Sequence, residues 1–325
     1  MTETSGAKHA LLTDLYELTM ADSYHRRDMD WPATFDLFVR ELPERRNFLV
    51  ACGLEQALEY LESLRFDEEA VRYLESLEVF SGSFLERLRD LRFQGDVWAI
   101  PEGEVAFAEE PLLRVTAPLV EAQIVETFLL NCITFQTMVA SKGARVAIAC
   151  GDRQFVDFSA RRVHGVDAAM KAARASYIAG ATATSNLLAG KVYGIKVTGT
   201  MAHSYVMAFD DEIEAFRAFA SDFPARAVLL IDTFDTVEGA RRAVRVASEL
   251  AGEGFDLLGV RLDSGDVGSL SRTVRNILDD AGFTECKIVA SGDLDEYRIE
   301  ELLSLGAPVD LFGVGTQLGT SGDAP

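Results

Sequence analysis

The sequence predicts an α/β protein, with an amino-terminal mixed α/β domain over residues 1–145 and a (β/α) barrel-like domain over residues 146–325. Three observations carry this. Beyond Gly151, short apolar runs recur at regular spacing: QFVDFSARR, IKVTGTMAH, AVLLIDTFD, LLGVRLDSGD, KIVASGDLD and VDLFGVGTQLG. Each run ends in polar or glycine-rich residues. Helical periodicity fills most of the gaps, over 167–180, 209–220, 236–251, 267–281 and 294–305. With a further short run near GATATSN, this makes six or seven βα units, which implies a parallel sheet.

The elements before the boundary read differently. The opening MTETSGAKHA is polar and lacks an apolar signal core, as a frayed tail would. LLTDLYELTMADSY, from Leu11 to Tyr24, has helical spacing with Thr13 or Asp14 as cap. TFDLFVRELP alternates like a strand up to Pro43, and residues 53–91 hold two or three amphipathic helices. VWAI, EVAFA and PLLRV, broken by PEGE and EEP, predict a small antiparallel unit. A long helix is expected over Leu119–Ala149, with a break at Lys142–Gly143. At the other end, LGTSGDAP follows a glycine-rich strand end, so the barrel is expected to be incomplete there.

Composition narrows the class of function. A net charge of −21 opposes nucleic acid and anionic membrane as partners, because phosphate would be repelled. Clustered Arg or Lys is correspondingly more informative in so acidic a chain. The most apolar stretch, Ala117–Ala140, is interrupted by Glu121, Glu126, Asn131 and Gln136, too polar for a bilayer span. The four cysteines are scattered without a C-x-x-C, which indicates neither a disulfide framework nor a zinc site. A reduced, cytoplasmic enzyme is the expected class.

The candidate chemistry lies at strand ends, where loops after parallel strands converge on one face. His203, in GTMAHS, is either a proton- or charge-handling group or a histidine satisfied by structural hydrogen bonds. Arg261, in GVRLDSGD, offers a bidentate fork to a carboxylate or phosphate, or else pairs with Asp263 or Asp266. SGD occurs at Ser264–Gly265–Asp266 and again at Ser291–Gly292–Asp293, and GVGT spans Gly313, Gly315 and Thr316. Glycines at late strand ends let backbone N–H groups face an anion, as barrel phosphate sites require. Arg161 and Arg162 close QFVDFSARR and point to a pyrophosphate site or a solvated basic face. Asp232, Asp235, Asp263 and Asp266 are equally magnesium ligands or helix caps, and no spacing singles out a metal site.

Together TDLYELTM, FVDFSARR, TSNLLAGKVYGIKVTGTMAHSYV, LLIDTFDT, GVRLDSGD and GVGTQLGT resemble the nicotinate phosphoribosyltransferase family, in one order from residue 11 to 320. Ser159-Ala160 stands where relatives often have glycine before the double arginine. The resemblance implies the type II phosphoribosyltransferase fold. It also implies a reaction: nicotinate and phosphoribosyl pyrophosphate give nicotinate mononucleotide and pyrophosphate, assisted by ATP hydrolysis and magnesium. By the same resemblance His203 is the phosphohistidine, while Thr200 and Arg261 face nicotinate. Tyr16 matches a tyrosine that contacts the pyridine ring, from its own subunit or from the other subunit of a homodimer that shares its active sites. Thr316 and the glycines near it hold the 5′-phosphate, and Ser185 and Asn186 are the neutral residues beside the ring substituent.

Three rivals stand beside this. A nicotinamide-using phosphoribosyltransferase would want a carboxylate near the ring substituent. A barrel lyase would want a Schiff-base lysine or isolated glutamate at a late strand end, and neither is present. A catalytically dead nucleotide-binding paralogue is opposed by the intact His203 and Arg261.

Overall fold

The computed structural model describes residues 9–322, in two compact units that divide at Ser141/Lys142. The expectations for the opening MTETSGAK and for residues 323–325 lie outside the described residues.

In the amino-terminal unit, helix α1 (Leu15–His25) starts four residues later than the apolar spacing suggests. Asp14 occupies the cap position but makes no cap bond, since its Oδ2 accepts the Thr127 hydroxyl at 2.6 Å. Strand β1 (Pro32–Phe38) ends well before Pro43. After β2 (Leu49–Val50) come three amphipathic helices, α2 (Leu54–Ser63), α3 (Glu68–Ser76) and α4 (Gly82–Asp90). Asp67 and Ser81 cap the latter two through their side chains, satisfying donors that a helix start leaves open. Strands β3 (Asp96–Ala99), β4 (Val105–Ala106) and β5 (Pro111–Pro118) follow. They are antiparallel as expected, but in two pieces: a sheet in the order β1-β5-β3 and a ribbon β2-β4. The core gathers Tyr60, Phe84, Leu64 and Leu88, with Tyr60 stacked on Phe128 at a centroid distance of 3.7 Å.

The long helix is broken, though at Val125 instead of Gly143: α5 (Leu119–Ile124) precedes α6 (Glu126–Cys150). Gly143 is there for closeness. A Cβ on it would lie 2.9 Å from the Ala179 Cβ, so the helix runs straight through a glycine that permits tight packing.

The catalytic-type unit is a parallel sheet with helices between its strands. Its strands are β6 (Gln154–Asp157), β7 (Val228–Leu230), β8 (Gly259–Leu262), β9 (Lys287–Ala290) and β10 (Leu311–Val314). Their order is β6-β10-β9-β8-β7, and every pairing is parallel. Helices α7 (Val166–Ile178), α8 (Leu187–Tyr193), α9 (His203–Val206) and α10 (Glu212–Asp222) fall between β6 and β7. The later crossovers are α11 (Thr236–Gly252), α12 (Val267–Asp280) and α13 (Glu296–Ser304), and α14 (Thr316–Thr320) follows β10. The apolar stripe of α11 (Ala240, Ala243, Val246, Ala247, Leu250) is buried against the sheet. Strand residues Leu229, Leu230, Val260, Leu262, Ile288 and Phe312 are fully covered, as a sheet buried on both faces demands.

One expected strand is absent. IKVTGTMAH forms only an isolated parallel bridge, Thr184 to Val197, and Thr184 in turn bridges to Asp157. The segment nevertheless curls round to the far edge, where Thr200 meets Arg261 of β8 and His203 meets Thr233 just past β7. The result is barrel-like, with five true strands and two single-bridge positions.

Candidate active site

The carboxyl ends of these strands surround an open cleft of about 490 Å³. Of the residues predicted from sequence, Arg161, Arg162, Ser185, Thr200, Arg261, Asp263, Ser291, Gly292, Asp293, Gly313, Gly315 and Thr316 line it. They follow four strands, β6, β8, β9 and β10, and the two single-bridge positions, Thr184 and Val197. Phe158, Met201 and Ala202 also line it and were not foreseen, being apolar residues that composition alone does not mark.

Arg261 is the most constrained cation. Its Nη1 donates to Thr200 Oγ1 at 2.5 Å and to the Met201 carbonyl at 3.3 Å, and its Nη2 lies 3.7 Å from Asp263 Oδ1. The side chain is only 12% exposed, and its Nε has no hydrogen-bond partner. Burial pushes the guanidinium pKa down, the Asp263 and Asp232 carboxylates pull it back, and nearby Arg161 pushes it down again. Two guanidiniums that repel one another across a cleft form a receptor for an anion.

His203 opens α9. Its Nδ1 shares a 3.1 Å hydrogen bond with Thr233 Oγ1, which fixes the ring. Its Nε2 lies 3.6 Å from Asp263 Oδ2 and 3.9 Å from Asp232 Oδ1, facing two carboxylates. Asp232 is the organiser of this corner. Its Oδ2 accepts the Asp263 N–H and the Ser264 hydroxyl, both at 2.7 Å, while its buried Oδ1 has no hydrogen-bond partner. Asp263 Oδ1 accepts the Ser291 hydroxyl at 2.5 Å, which ties the ends of β8 and β9 together.

The four aspartates therefore divide. Asp235 and Asp266 cap α11 and α12, accepting the N–H groups of Glu238 and Ser269, whereas Asp232 and Asp263 face His203. Ser264 is occupied by Asp232, and Gly265 takes a left-handed φ of 75° that turns the chain into α12. Gly292 is required sterically. Its φ is +87°, and a Cβ would stand 1.9 Å from the Asp263 carbonyl oxygen.

Five predicted residues are not among those lining the cleft: His203, Ser264 and Gly265 adjoin it at Asp263, and Asn186 and Tyr16 are placed elsewhere. Asn186 does not line the cleft: its Oδ1 caps α8 by accepting the Leu188 and Ala189 N–H groups at 3.1 Å, and its Nδ2 donates to the Ala169 carbonyl at 3.2 Å. Asparagine just before a helix is a strong cap, a signal present in the sequence. Tyr16 belongs to the amino-terminal unit, where its hydroxyl donates to Glu126 Oε1 at 3.0 Å. Partial burial, that hydrogen bond and the carboxylates of Glu126, Glu17 and Asp14 push its pKa up to about 12.

Sequence reasoning also missed Thr233 and Asp157. Both lie inside motifs already singled out, LLIDTFDT and FVDFSARR, but only the fold shows Thr233 against His203 and Asp157 wholly buried at the end of β6.

Comparisons with known proteins agree with this geometry. The nicotinate phosphoribosyltransferase amino-terminal domain model matches residues 11–134, and the nicotinate phosphoribosyltransferase family model matches residues 153–322. The chain is 53% identical to nicotinate phosphoribosyltransferase pncB2 of Mycobacterium tuberculosis over 316 residues, covering 97% of this chain and 68% of that one. It is 46% identical over 318 residues to the nicotinate phosphoribosyltransferase of Bacillus subtilis, covering 97% and 64%. The crystal structure of human nicotinic acid phosphoribosyltransferase superposes with a TM-score of 0.86 at 30% identity, covering 93% of this chain and 72% of that chain. With both family models matched in order, and the cleft built from the residues that carried the resemblance, the chain belongs to the nicotinate phosphoribosyltransferase family.

Proposed function

We propose that this chain joins nicotinate to phosphoribosyl pyrophosphate, giving nicotinate mononucleotide and pyrophosphate in NAD salvage, with ATP hydrolysis assisting. The observation that carries the reading is the buried Arg261, held by Thr200 and facing Arg161 across a cleft ringed by strand-end glycines. Its buried Nε has no partner, and nicotinate carries a carboxylate, a planar anion that a guanidinium grips with two parallel bonds.

Breaking the bond from the anomeric carbon to pyrophosphate builds oxocarbenium character on the ribose. The cleft must hold the ring nitrogen in line and neutralise the departing pyrophosphate. Arg261 and Thr200 serve the first need, and Arg161 and Arg162 the second. Gly313, Gly315 and Thr316 offer the 5′-phosphate a wall free of bulky side chains. Tyr16, 47% exposed, is assigned to the pyridine ring within a homodimer.

Magnesium fits the donors present. Among the described residues, no three His, Cys, Asp or Glu side chains form a metal-holding group. Asp263 and the unpartnered Asp232 Oδ1 are the hard oxygens available, and magnesium characteristically takes one or two carboxylates plus substrate phosphates. When bound it supplies charge neutralisation to the pyrophosphate.

His203, fixed through Nδ1 by Thr233, is the group we assign to accept a phosphoryl from ATP. A phosphate there adds charge and acceptor oxygens beside Asp263, which reorders the corner Asp232 holds. A reducing, cytoplasmic setting belongs to the same proposal, since all four cysteines are free thiols. No helix among the described residues is long and apolar enough to cross a membrane.

The test is turnover of nicotinate with phosphoribosyl pyrophosphate and magnesium, with and without ATP. Wild type should release pyrophosphate and carry an acid-labile phosphate after ATP treatment. His203→Ala should lose both the label and nicotinate-dependent ATP hydrolysis. Undiminished ATP hydrolysis in the variant ends the phosphohistidine assignment, and absence of nicotinate turnover in wild type ends the reading.

A further inference from the structure

At one edge the parallel sheet gives out, and a buried acid takes over its work. Asp157 ends β6 with none of its surface exposed. Its Oδ1 accepts the Ser159 N–H at 2.8 Å and its Oδ2 accepts the Thr184 hydroxyl at 2.7 Å. Thr184 Oγ1 in turn accepts the Asn186 N–H at 3.1 Å. Backbone bonds run alongside: Thr182 N–H donates to the Phe155 carbonyl, Asp157 N–H to the Ala183 carbonyl, Ser185 N–H to the Asp157 carbonyl, Thr184 N–H to the Lys196 carbonyl and Thr198 N–H to the Thr184 carbonyl.

Two cleft segments hang on these two side chains, and a third is joined through the Thr184 backbone. The turn that Asp157 grips at Ser159 closes with Arg162 N–H on the Ser159 carbonyl, at 2.7 Å, and presents Arg161 and Arg162. Ser185 follows Thr184 directly. The Val197 bridge leads on to Thr200, the partner of Arg261. The backbone pairing of β6 runs out at Phe158, whose N–H donates to the Val314 carbonyl, and the Ser159 N–H beyond it bonds the Asp157 carboxylate. A buried carboxylate that accepts two hydrogen bonds ties the turn beyond the strand end to the neighbouring segment, and losing one of those bonds in a dry setting is costly.

We infer that Asp157 and Thr184 are positioning residues for the pyrophosphate-bearing substrate, holding Arg161 and Arg162 at the cleft. The inference rests on the phosphoribosyl transfer proposed above and assigns the two residues no contact with substrate.

The test compares Thr184→Val, Thr184→Ser and Asp157→Asn with wild type, by steady-state kinetics and by calorimetric titration of inorganic pyrophosphate with magnesium. Valine keeps the volume but leaves Asp157 Oδ2 and the Asn186 N–H unpartnered. It should raise the KM for phosphoribosyl pyrophosphate about tenfold, with kcat within about threefold. Pyrophosphate binding should weaken by the same factor. Serine restores the hydroxyl and should return both values to within about twofold of wild type. A purely structural role would instead lower kcat with the folded fraction and leave KM unmoved; that result, or failure of serine to rescue, overturns the inference. Should Thr184→Val not fold, Asp157→Asn, which keeps the bond from Ser159, must show the same split. Pyrophosphate titration remains decisive even if wild type does not turn over nicotinate, because it needs no activity.

Discussion

The two sides of the cleft are built on different principles. On one side, β7, β8 and β9 pair over several residues each, and the functional side chains Arg261, Asp263 and Ser291 project from the ends of true strands. On the other side, Asp157, Thr184 and Val197 meet through single bridges, and Arg161, Arg162, Ser185 and Thr200 hang from turns. Each side has its own buried aspartate. Asp232 binds the Asp263 N–H and Ser264 hydroxyl on the ladder side; Asp157 binds the Ser159 N–H and Thr184 hydroxyl on the bridged side. A buried carboxylate fixes the chain just beyond a strand end where the backbone has no partner of its own. The sides differ in their neighbours: β7, β8 and β9 pair with one another over three or four residues, whereas the segments beyond β6 at Thr184 and Val197 make single bridges.

The largest expected break is on the ladder side, at Gly292. Gly292→Ala puts a Cβ 1.9 Å from the Asp263 carbonyl oxygen at a left-handed φ, so neither backbone can stay where it is. Overpacking and strain of roughly 3 kcal/mol should lower Tm by about 6–12 °C and disorder Asp263. An alanine variant with wild-type Tm and activity would show that the β8–β9 corner is looser than its contacts imply.

Next is Asp232→Ala, which strands the Asp263 N–H and the Ser264 hydroxyl. Each lost partner costs about 1–3 kcal/mol, so kcat/KM should fall about a hundredfold, with Asp232→Asn falling less because one acceptor remains. Equal losses in the two variants would mean that the charge facing His203 matters more than the grip on the loop.

Arg261→Lys probes the seam between the sides, since Arg261 rises from β8 and donates to Thr200. Lysine cannot copy the fork, so the KM for nicotinate should rise about tenfold more than that for phosphoribosyl pyrophosphate. If both rise equally, Arg261 is aligning the Thr200 segment and is not reading the base.

The smallest effect is expected from Asn186→Asp on the bridged side. Aspartate caps α8 as well as asparagine does, and the side chain points at Leu188, Ala189 and Ala169 instead of the cleft. The preference between nicotinate and nicotinamide should move by less than about twofold, and Ser185→Asp should move it more, because Ser185 lines the cleft. A large shift in the asparagine variant would place position 186 beside the ring substituent after all.

The same contrast explains what the sequence could and could not reveal. LLGVRLDSGD and KIVASGDLD announce themselves because an apolar run buried on both faces ends sharply at charged or glycine residues. IKVTGTMAH looks alike in sequence yet forms no ladder, since whether a run pairs depends on a neighbour far away in the chain. The division of the four aspartates was hidden for a related reason. Asp235 and Asp266 cap helices locally, but Asp232 meets Asp263 and Ser264 only after two strands align. Gly143, which composition marks as a helix breaker, is a contact glycine once α7 packs beside it.

The most direct measurement is the ratio of kcat/KM for nicotinate to that for nicotinamide in the wild-type chain. A cleft lined by Arg261, Thr200 and the neutral Ser185 should favour the anion. The account predicts a ratio of about a hundred or more in favour of nicotinate. A ratio below one, with nicotinamide the better base, would contradict it.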